Sequence, residues 1–278
     1  MRLSECSKNI SKNFLSVFRM PGTHSRIDSI RFENFENLSL AYEVLINQLK
    51  KKEAIPPSPI RPRLLFRLLG TSPFEAYFII ESLSQTKSVD GDVCEFGVAQ
   101  GETSALIANE ISDSGKMLHL FDSFKGLPKP TGKDKLKNDI FSLGSIEAYE
   151  GTMSCPESMV VSRLQAISFS PRRYIIHRGF VEHSIGSDSR LPEKVSFAYV
   201  DFDFYEPIKT ALEFLHRVCP AGAVIIVDDY DFFSTGAKTA VDEFVLEKNA
   251  AVKAYDVLIP DKRLGYFAVL SKNDSVGT

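Results

Sequence analysis

Two pairs of aspartates follow two apolar runs of the chain. Asp201 and Asp203 come after the run in VSFAYVDFDF, and Asp228 and Asp229 come after the run in GAVIIVDDY. Carboxylates held close together repel each other unless a positive charge lies between them. Several hard oxygen ligands suit magnesium, manganese or calcium better than zinc. The pairs therefore predict a divalent metal site; the structural alternative is that one member of each pair caps the next helix and the other is solvated.

A loop with two glycines and one further aspartate indicate a second kind of site. Gly97 and Gly101, in EFGVAQGETS, allow a sharp turn and a close approach of the backbone to a ligand. The loop lacks the GxGxxG spacing and a phosphate-loop lysine, which argues against NAD and nucleoside triphosphates. Asp122, at the end of MLHLFD, is placed where a carboxylate can accept hydrogen bonds from both ribose hydroxyls. Together they favour an adenosine-type ligand over an ordinary turn with a capping aspartate.

Two histidines follow or end the apolar segment RYIIHRG. His177 ends this segment, and His183 lies just after the next turn. Histidine can contact a substrate or transfer a proton near neutral pH, so both are candidate catalytic residues. The alternative is a structural role, which is the commoner one for a single histidine.

These side chains need a scaffold that brings strand ends together. Five short apolar segments, DVCEFGV, MLHLFD, RYIIHRG, VSFAYVD and AVIIVDD, are separated by helical segments and turns. This alternation predicts a parallel sheet with helices on both faces. Parallel strands end at the same edge of such a sheet, so the two aspartate pairs are expected to converge there. Near the end of the chain, AVKAYDVLIP and LGYFAVL are separated only by DKR, which predicts an antiparallel hairpin.

Residues 1–60 have a different pattern and predict an N-terminal helical extension. They contain ENLSLAYEVLINQLKKKEA, which has helical periodicity, followed by the start of the proline-rich IPPSPIRPR, which stops a helix. Residues 61–278 then form the main domain. Within it, residues 129–172 have no strong strand signal and are too long for a simple connection. We expect this segment to cover the site or to form helices of its own.

The composition narrows the classes of protein and partner. The 278 residues are 44% hydrophobic and 25% charged, which is typical of a globular chain with a large core. A formal net charge of −3 offers no basic surface for nucleic acid. No uncharged run is long enough for a membrane span, and the four cysteines form no CxxC pair, so we expect a cytoplasmic protein. A homo-oligomer is compatible with this composition.

The motifs together resemble the macrocin O-methyltransferase family, S-adenosylmethionine- and magnesium-dependent sugar O-methyltransferases of antibiotic biosynthesis. The similar segments, within roughly 92–244, are VCEFGVAQGETS, LFDSFKGLP, RGFVEHSI, VDFDFYEPIKTALEFL and GAVIIVDDY. FDSFKGLP and the combination of DFDFY with VDDY are the specific parts of the match. The resemblance implies an α/β fold with a Rossmann-like, seven-stranded methyltransferase sheet and an antiparallel C-terminal hairpin in residues 61–278.

The resemblance also implies two ligands and the residues that hold them. For S-adenosylmethionine, the implied residues are Glu95, Gly97 and Gly101 at the methionine part, and Asp122 and Ser123 at the ribose. For Mg²⁺, or Mn²⁺, they are Asp201, Asp228 and Asp229, with Asp203 as the alternative first ligand. The distantly similar catechol O-methyltransferases have a lysine base three residues after the first metal aspartate. This chain has Phe204 there, so a lysine base is absent.

These expectations combine into a function. In-line methyl transfer requires an enzyme that positions an oxygen nucleophile and helps it lose its proton. A metal bound to two neighbouring hydroxyls of a sugar, alone or on a natural product or glycan, would do both, and Asp201 would accept the proton. Residues 1–60 and 129–172 would determine acceptor specificity. Two alternatives remain open at this point: a glycosyltransferase whose DxD element is DFD, and a non-catalytic S-adenosylmethionine-binding module.

Overall fold

The structure is a computed structural model that describes residues 39–40, 55–262 and 264–274. The strands are β1 Asp92–Phe96, β2 Leu118–Asp122, β3 Tyr174–Arg178, β4 Val195–Val200, β5 Val224–Val227, β6 Tyr255–Leu258 and β7 Ala268–Lys272. The α-helices with described bounds are α1 Arg61–Arg67, α2 Pro73–Gln85, α3 Glu102–Glu110, α4 Glu157–Ala166, α5 Val181–Ser187, α6 Tyr205–Val218 and α7 Thr235–Lys248. The extension predicted for residues 1–60 lies almost wholly outside the described residues.

The seven strands form one sheet in the order β3-β2-β1-β4-β5-β7-β6. Strands β1 to β5 are parallel, as the alternation of strands and helices predicted. Every residue of β4 and β5 is buried, because helices cover both faces of the sheet. The order of the strands reverses between β1 and β4. In open α/β sheets, ligands bind beyond the carboxyl ends of the strands at such a point.

The last two strands reverse direction, which confirms the predicted hairpin. Strand β7 is antiparallel both to β5 and to β6. The connection is longer than the three residues that the sequence indicated, since residues 259–267 separate the two strands. Val257, Leu258 and Ile259 are all exposed, so the apolar run there does not mark a buried strand.

Helices cover the two faces of the sheet in separate layers. Side chains of α5, α6 and α7 pack with residues of β1, β2, β4 and β5 in one buried cluster. Side chains of α2, α3 and α4 pack on the opposite face of the sheet in another. Within the described ranges, no helix combines the length and the apolar character that a membrane crossing requires.

The connection after β2 is tied to the start of α6 and α7. Asp134 is only 3% exposed, and its Oδ1 accepts a hydrogen bond from the Tyr205 amide at 2.8 Å. A Cβ atom on Gly236 would lie 1.9 Å from this oxygen, so the carboxylate also contacts the first turn of α7. Leu136 forms an antiparallel bridge with Ser234. The segment 129–172 also contains α4, and its role as a cover of the site stays a prediction.

Candidate active site

The ends of β4 and β5 are aligned, and this alignment brings the aspartates together. Val200 and Val227 are partners in the parallel register. The residue after each strand continues the ladder, because the amide of Asp201 donates to Phe96 O at 2.7 Å and that of Asp228 donates to Val200 O at 2.9 Å. Both aspartate pairs therefore lie at the carboxyl edge of the sheet, where the strand order reverses.

Three of these aspartates could bind one cation. Asp201, Asp203 and Asp229 each offer a carboxylate oxygen, and these oxygens all lie within 4.8 Å of one another. Asp203 and Asp229 have positive φ angles of 64° and 55°, which are uncommon for residues other than glycine. The Ser234 hydroxyl donates to the Asp203 carbonyl at 2.9 Å and helps to fix that turn.

Asp228 has a different environment from the other three aspartates. Its Oδ2 accepts a hydrogen bond from the Tyr199 hydroxyl at 2.8 Å, and its Oδ1 accepts one from the Asp229 amide at 2.7 Å. In this conformation Asp203, which the sequence offered as the alternative ligand, is therefore the third member of the group with Asp201 and Asp229. Asp228 lies beside the group with both oxygens hydrogen-bonded.

Burial and mutual repulsion raise the pKa values of these carboxyl groups. Burial is the largest cause for Asp201 and Asp229, and the charge of Asp228 adds to it in both cases. Burial raises the pKa of Asp203 to about 7. Among the described residues, none of the four aspartates forms an ion pair with lysine, arginine or histidine. These carboxyl groups thus have no cationic side chain of the described residues beside them, and Asp203 and Asp229 hydrogen-bond with each other instead.

A fifth carboxyl group lies beside these four, and sequence reasoning missed it. Glu75 is in the first turn of α2 and is 2% exposed. The charges of Asp228, Asp201 and Asp229 all raise its pKa, after burial as the largest cause. In the sequence, Glu75 is an acidic residue two positions after Pro73, the first residue of α2. An acidic residue in a first helical turn usually lies in solvent, so this pattern did not indicate a site. Together, these five carboxyl groups form the acidic cluster of Glu75, Asp201, Asp203, Asp228 and Asp229.

The loop with two glycines packs directly against the acidic cluster. Gly97 and Gly101 have φ angles of 84° and 82°, in the left-handed region where glycine has no steric penalty. A Cβ atom on Gly97 would lie 1.9 Å from the backbone oxygen of Asp201. A Cβ atom on Gly101 would meet Val160 of α4 at 3.1 Å. Only glycine fits at position 97, because the backbone of the loop is in direct contact with the backbone of Asp201, a metal-ligand candidate.

Asp122 lies at the end of β2 and organises the same loop. Its Oδ2 accepts hydrogen bonds from the amides of Val98 at 2.8 Å and Ala99 at 2.9 Å, and its Oδ1 accepts one from the Phe124 amide at 2.6 Å. The Ser123 hydroxyl donates to Gly126 O at 3.2 Å within the following turn. Asp122 thus lies against the loop, with Ser123 next to it, and the role of both in binding the ribose stays a prediction.

Glu95 is buried behind the loop and has no hydrogen-bond partner. It is 1% exposed, and neither of its carboxylate oxygens is hydrogen-bonded within the described residues. The nearby Ser104 hydroxyl is also buried and unpartnered. Burial raises the pKa of Glu95 to about 8. Buried polar atoms without protein partners are uncommon and indicate a position that faces a ligand or a water molecule.

The histidines lie apart from the acidic cluster. His177 is fully buried, and its ring nitrogens are 2.9 Å from His119 Nδ1 and 2.8 Å from Asp188 Oδ2. Asp188 also accepts a hydrogen bond from Arg190 at 2.7 Å. Asp92 completes this histidine network through His119 at 3.4 Å. Both ring nitrogens of His177 thus have protein partners in this conformation, which favours a structural role, and the catalytic role stays a prediction.

His183 is exposed on α5, which follows β3. Strands β2 and β1 separate β3 from β4. Three strand spacings of about 4.8 Å correspond to roughly 14 Å across the sheet. The structure therefore does not bring His183 into the acidic cluster.

Comparisons with known proteins agree with this architecture. A family model described as macrocin-O-methyltransferase (TylF) matches residues 61–257. Among solved structures, the O-methyltransferase NovP is 17% identical, with a TM-score of 0.62 over 87% of this chain and 100% of NovP. The calicheamicin methyltransferase CalS11 is 20% identical, with a TM-score of 0.55 over 91% of this chain and 95% of CalS11. No curated protein matches the chain.

The similarity to the two solved structures supports the assignment of the fold. The family model matches well over half of the chain and therefore assigns the chain to the family. The loop with two glycines, Asp122 and the strand-end aspartates all lie within the matched residues. The chain therefore belongs to the macrocin O-methyltransferase (TylF) family and is an S-adenosylmethionine-dependent O-methyltransferase.

Proposed function

We propose that this enzyme methylates a hydroxyl group of a sugar, free or attached to a natural product or glycan, and that it requires Mg²⁺ or Mn²⁺. The observation that carries the proposal is the acidic cluster, whose carboxylates have no cationic partner among the described side chains. It lies against the loop of Gly97, on the side where the cofactor site is expected. Family membership makes the reaction a methyl transfer, so a DxD glycosyltransferase has no support here.

The donor set fits a hard divalent cation. Carboxylate oxygens are the ligands that Mg²⁺ and Mn²⁺ prefer, and a cation would remove the repulsion that raises the pKa values of these groups. Asp201 and Asp229 belong both to the group of three carboxylates in the structure and to the ligand set that the family resemblance implies. The third carboxylate is Asp203 in the present geometry and Asp228 by family resemblance. When bound, the metal would hold two neighbouring hydroxyls of the acceptor and lower the pKa of the one that reacts.

The chain's own residues then have three tasks. Glu95, with its unpartnered oxygens, would bind the amino group of the cofactor's methionine part, and Asp122 with Ser123 would hold its ribose. The Asp201 carboxylate would accept the proton of the reacting hydroxyl, because it lies between the other aspartates and the cofactor loop. Phe204 is 1% exposed and packs near Phe233, so its position offers no base.

The proposed acceptor class follows from the chelating geometry and the family. A chelating site favours a nucleophilic oxygen with a second oxygen beside it, which sugars and catechols both provide, and the family resemblance favours sugars. We propose that residues 129–172 shape the acceptor site, since residues 134–136 are anchored next to Asp203 and the start of α7. A cytoplasmic location and a homo-oligomer stay predictions.

Transfer of a labelled methyl group tests the proposal. Purified full-length enzyme would be offered a panel of diol-bearing sugars and glycosides and a matched panel of catechols, with saturating Mg²⁺ or with a chelator. We expect transfer to members of the sugar panel and its loss with the chelator, restored by excess Mg²⁺. Full activity with the chelator would contradict the metal requirement. Transfer to catechols alone would contradict the sugar assignment.

A further inference from the structure

Glu75 is a buried carboxyl group that the fold alone does not explain. It is 2% exposed, and its Oε1 has no hydrogen-bond partner in the described part of the chain. An unpartnered buried oxygen of this kind is costly, so such atoms in native proteins usually face a ligand, a water molecule or an ion. The position of Glu75 therefore requires a cause beyond packing.

Helix capping does not supply that cause. Ser72 is the N-cap of α2, and its hydroxyl accepts a hydrogen bond from the Glu75 amide at 3.1 Å while donating to Leu264 O at 2.9 Å. A glutamate at this position can form a capping box by accepting a hydrogen bond from the N-cap amide, but the described hydrogen bonds include none between this carboxylate and the Ser72 amide. An acidic side chain in a first turn usually remains in solvent, whereas this one is turned into the protein.

The side chain of Glu75 faces the metal-ligand candidates. Asp228, Asp201 and Asp229 act on it electrostatically, and Asp228 has the largest effect of the three, in part through a side-chain hydrogen bond. Both Asp228 oxygens already accept hydrogen bonds, from Tyr199 and from the Asp229 amide. Glu75 thus adds a fifth carboxyl group to a region in which the described residues provide no cationic side chain. Adding negative charge to such a region is unfavourable unless a bound cation compensates for it.

We propose that Glu75 is a further carboxylate of the metal site, which binds the cation directly or through a water molecule. The inference rests on the proposed metal requirement and extends it to a residue of α2, outside the strand ends. The 2% exposure of Glu75 leaves access for an ion or a water molecule and not for a bulky acceptor. Cation binding would consequently connect α2 to the ends of β4 and β5.

Titration of the metal-free, full-length protein with Mn²⁺, without cofactor or acceptor, tests this role. Calorimetry or electron paramagnetic resonance would compare wild type, Glu75→Gln and the control Glu81→Gln, which changes a half-buried glutamate beside Tyr77 on the same helix. We expect Glu75→Gln to weaken Mn²⁺ binding about 10- to 100-fold, the range for residues that support a metal site from its periphery. Glu81→Gln should bind Mn²⁺ like wild type.

Thermal stability without metal separates this role from a structural one. Glu75→Gln should melt at the same temperature as wild type or higher, because it removes a repelling charge, whereas a structural glutamate would lower the melting temperature when replaced. Unchanged Mn²⁺ affinity in Glu75→Gln would overturn the inference. If Glu75→Gln does not fold, Glu75→Asp takes its place in the assay. This variant keeps the charge but shortens the side chain, so it should also bind Mn²⁺ more weakly than wild type. Absence of Mn²⁺ binding in the wild type would instead contradict the proposed metal requirement itself.

Discussion

The acidic cluster and the histidine network are both groups of buried and half-buried titratable side chains around one sheet, but they differ in pairing. In the histidine network, each ring nitrogen has a partner and Asp188 is balanced by Arg190. In the acidic cluster, like charges face one another, and Glu75 has an oxygen without a partner. The network is therefore complete without any ligand, whereas the cluster is not.

The pKa values show the same contrast. The hydrogen bond with Arg190 lowers the pKa of Asp188, whereas burial and neighbouring carboxylates raise those of Asp201 and Asp229. A buried group whose hydrogen bonds and charges are all matched within the protein stabilises the fold, whereas an incompletely matched group indicates a ligand-binding site. The same type of substitution in the two regions should consequently have opposite effects on stability and on ligand binding.

The largest effect is expected for Asp229→Asn. Loss of a charged ligand should weaken Mn²⁺ binding by at least about 100-fold, above the range for peripheral residues, and reduce methyl transfer accordingly. The stability of the metal-free protein should not decrease, because carboxylate repulsion is relieved. Calorimetry and chemical denaturation would measure the two quantities.

The matched control for Asp229→Asn is Asp188→Asn in the histidine network. It should lower the free energy of unfolding and leave Mn²⁺ affinity unchanged, because Asp188 is held by Arg190 and His177. If both variants lost stability and neither lost metal affinity, the distinction between the regions would fail. In the same Mn²⁺ titration, a comparison of Asp203→Asn with Asp228→Asn would show which of the two residues is the third ligand.

Asp122→Ala tests whether a fully hydrogen-bonded carboxylate can also be a ligand-binding residue. Asp122 is fully hydrogen-bonded, like the histidine network, yet it is a predicted ribose ligand. Its loss should weaken cofactor binding by about 1–3 kcal/mol, the cost of leaving buried partners unpaired. Calorimetry with S-adenosylhomocysteine would measure this, with Ser123→Ala as the milder neighbouring change. Unchanged affinity in Asp122→Ala would remove this residue from the cofactor site.

His177→Phe should affect stability and not binding. Phenylalanine keeps the ring that stacks on Phe121 at 4.3 Å but removes one hydrogen-bond partner from His119 and one from Asp188. We expect a loss of about 1–2 kcal/mol in the free energy of unfolding, with Mn²⁺ and cofactor affinities unchanged. The exposed control His183→Gln should change stability by less than about 0.5 kcal/mol. Loss of turnover in His177→Phe with stability intact would instead support the predicted catalytic role of His177.

The smallest effect concerns pH. Burial lowers the pKa of His177 below its usual 6.5, so the unfolded state takes up a proton first as the pH falls. The contribution of this group is therefore fully present above about pH 6.5 and is lost below it. The free energy of unfolding of wild type should fall between pH 7 and pH 5 more steeply than that of His177→Phe, by less than about 1.4 kcal/mol per pH unit. Equal slopes would contradict this account.

Much of this arrangement could be predicted from the sequence because it depends on local pattern. The apolar runs before Asp201 and Asp228 identify buried parallel strands, and the edge where such strands end follows from the fold class. The length of the final hairpin connection could not be predicted in this way. Apolar residues at 257–259 are exposed there, so hydrophobicity alone misplaced the end of the strand.

The features that were missed depend on tertiary geometry. Glu75 reaches the acidic cluster only because α2 packs across the sheet beside β4, which no local pattern specifies. The pairing of His177 with His119 requires the register between β2 and β3, in which His119 lies opposite Ile175. A histidine at the end of a strand could equally have faced the site, so its sequence position left both roles open.

The position of Asp134 has a consequence for attempts to change acceptor specificity by recombination. Its carboxylate contacts the first turns of both α6 and α7, and beside it the Thr235 amide donates a hydrogen bond to Lys135 O at 2.9 Å. A chimera that imports residues 129–150 from a relative would break these contacts unless residues 203–205 and 233–236 came from the same parent. The three stretches would therefore have to be exchanged together, although they are far apart along the chain.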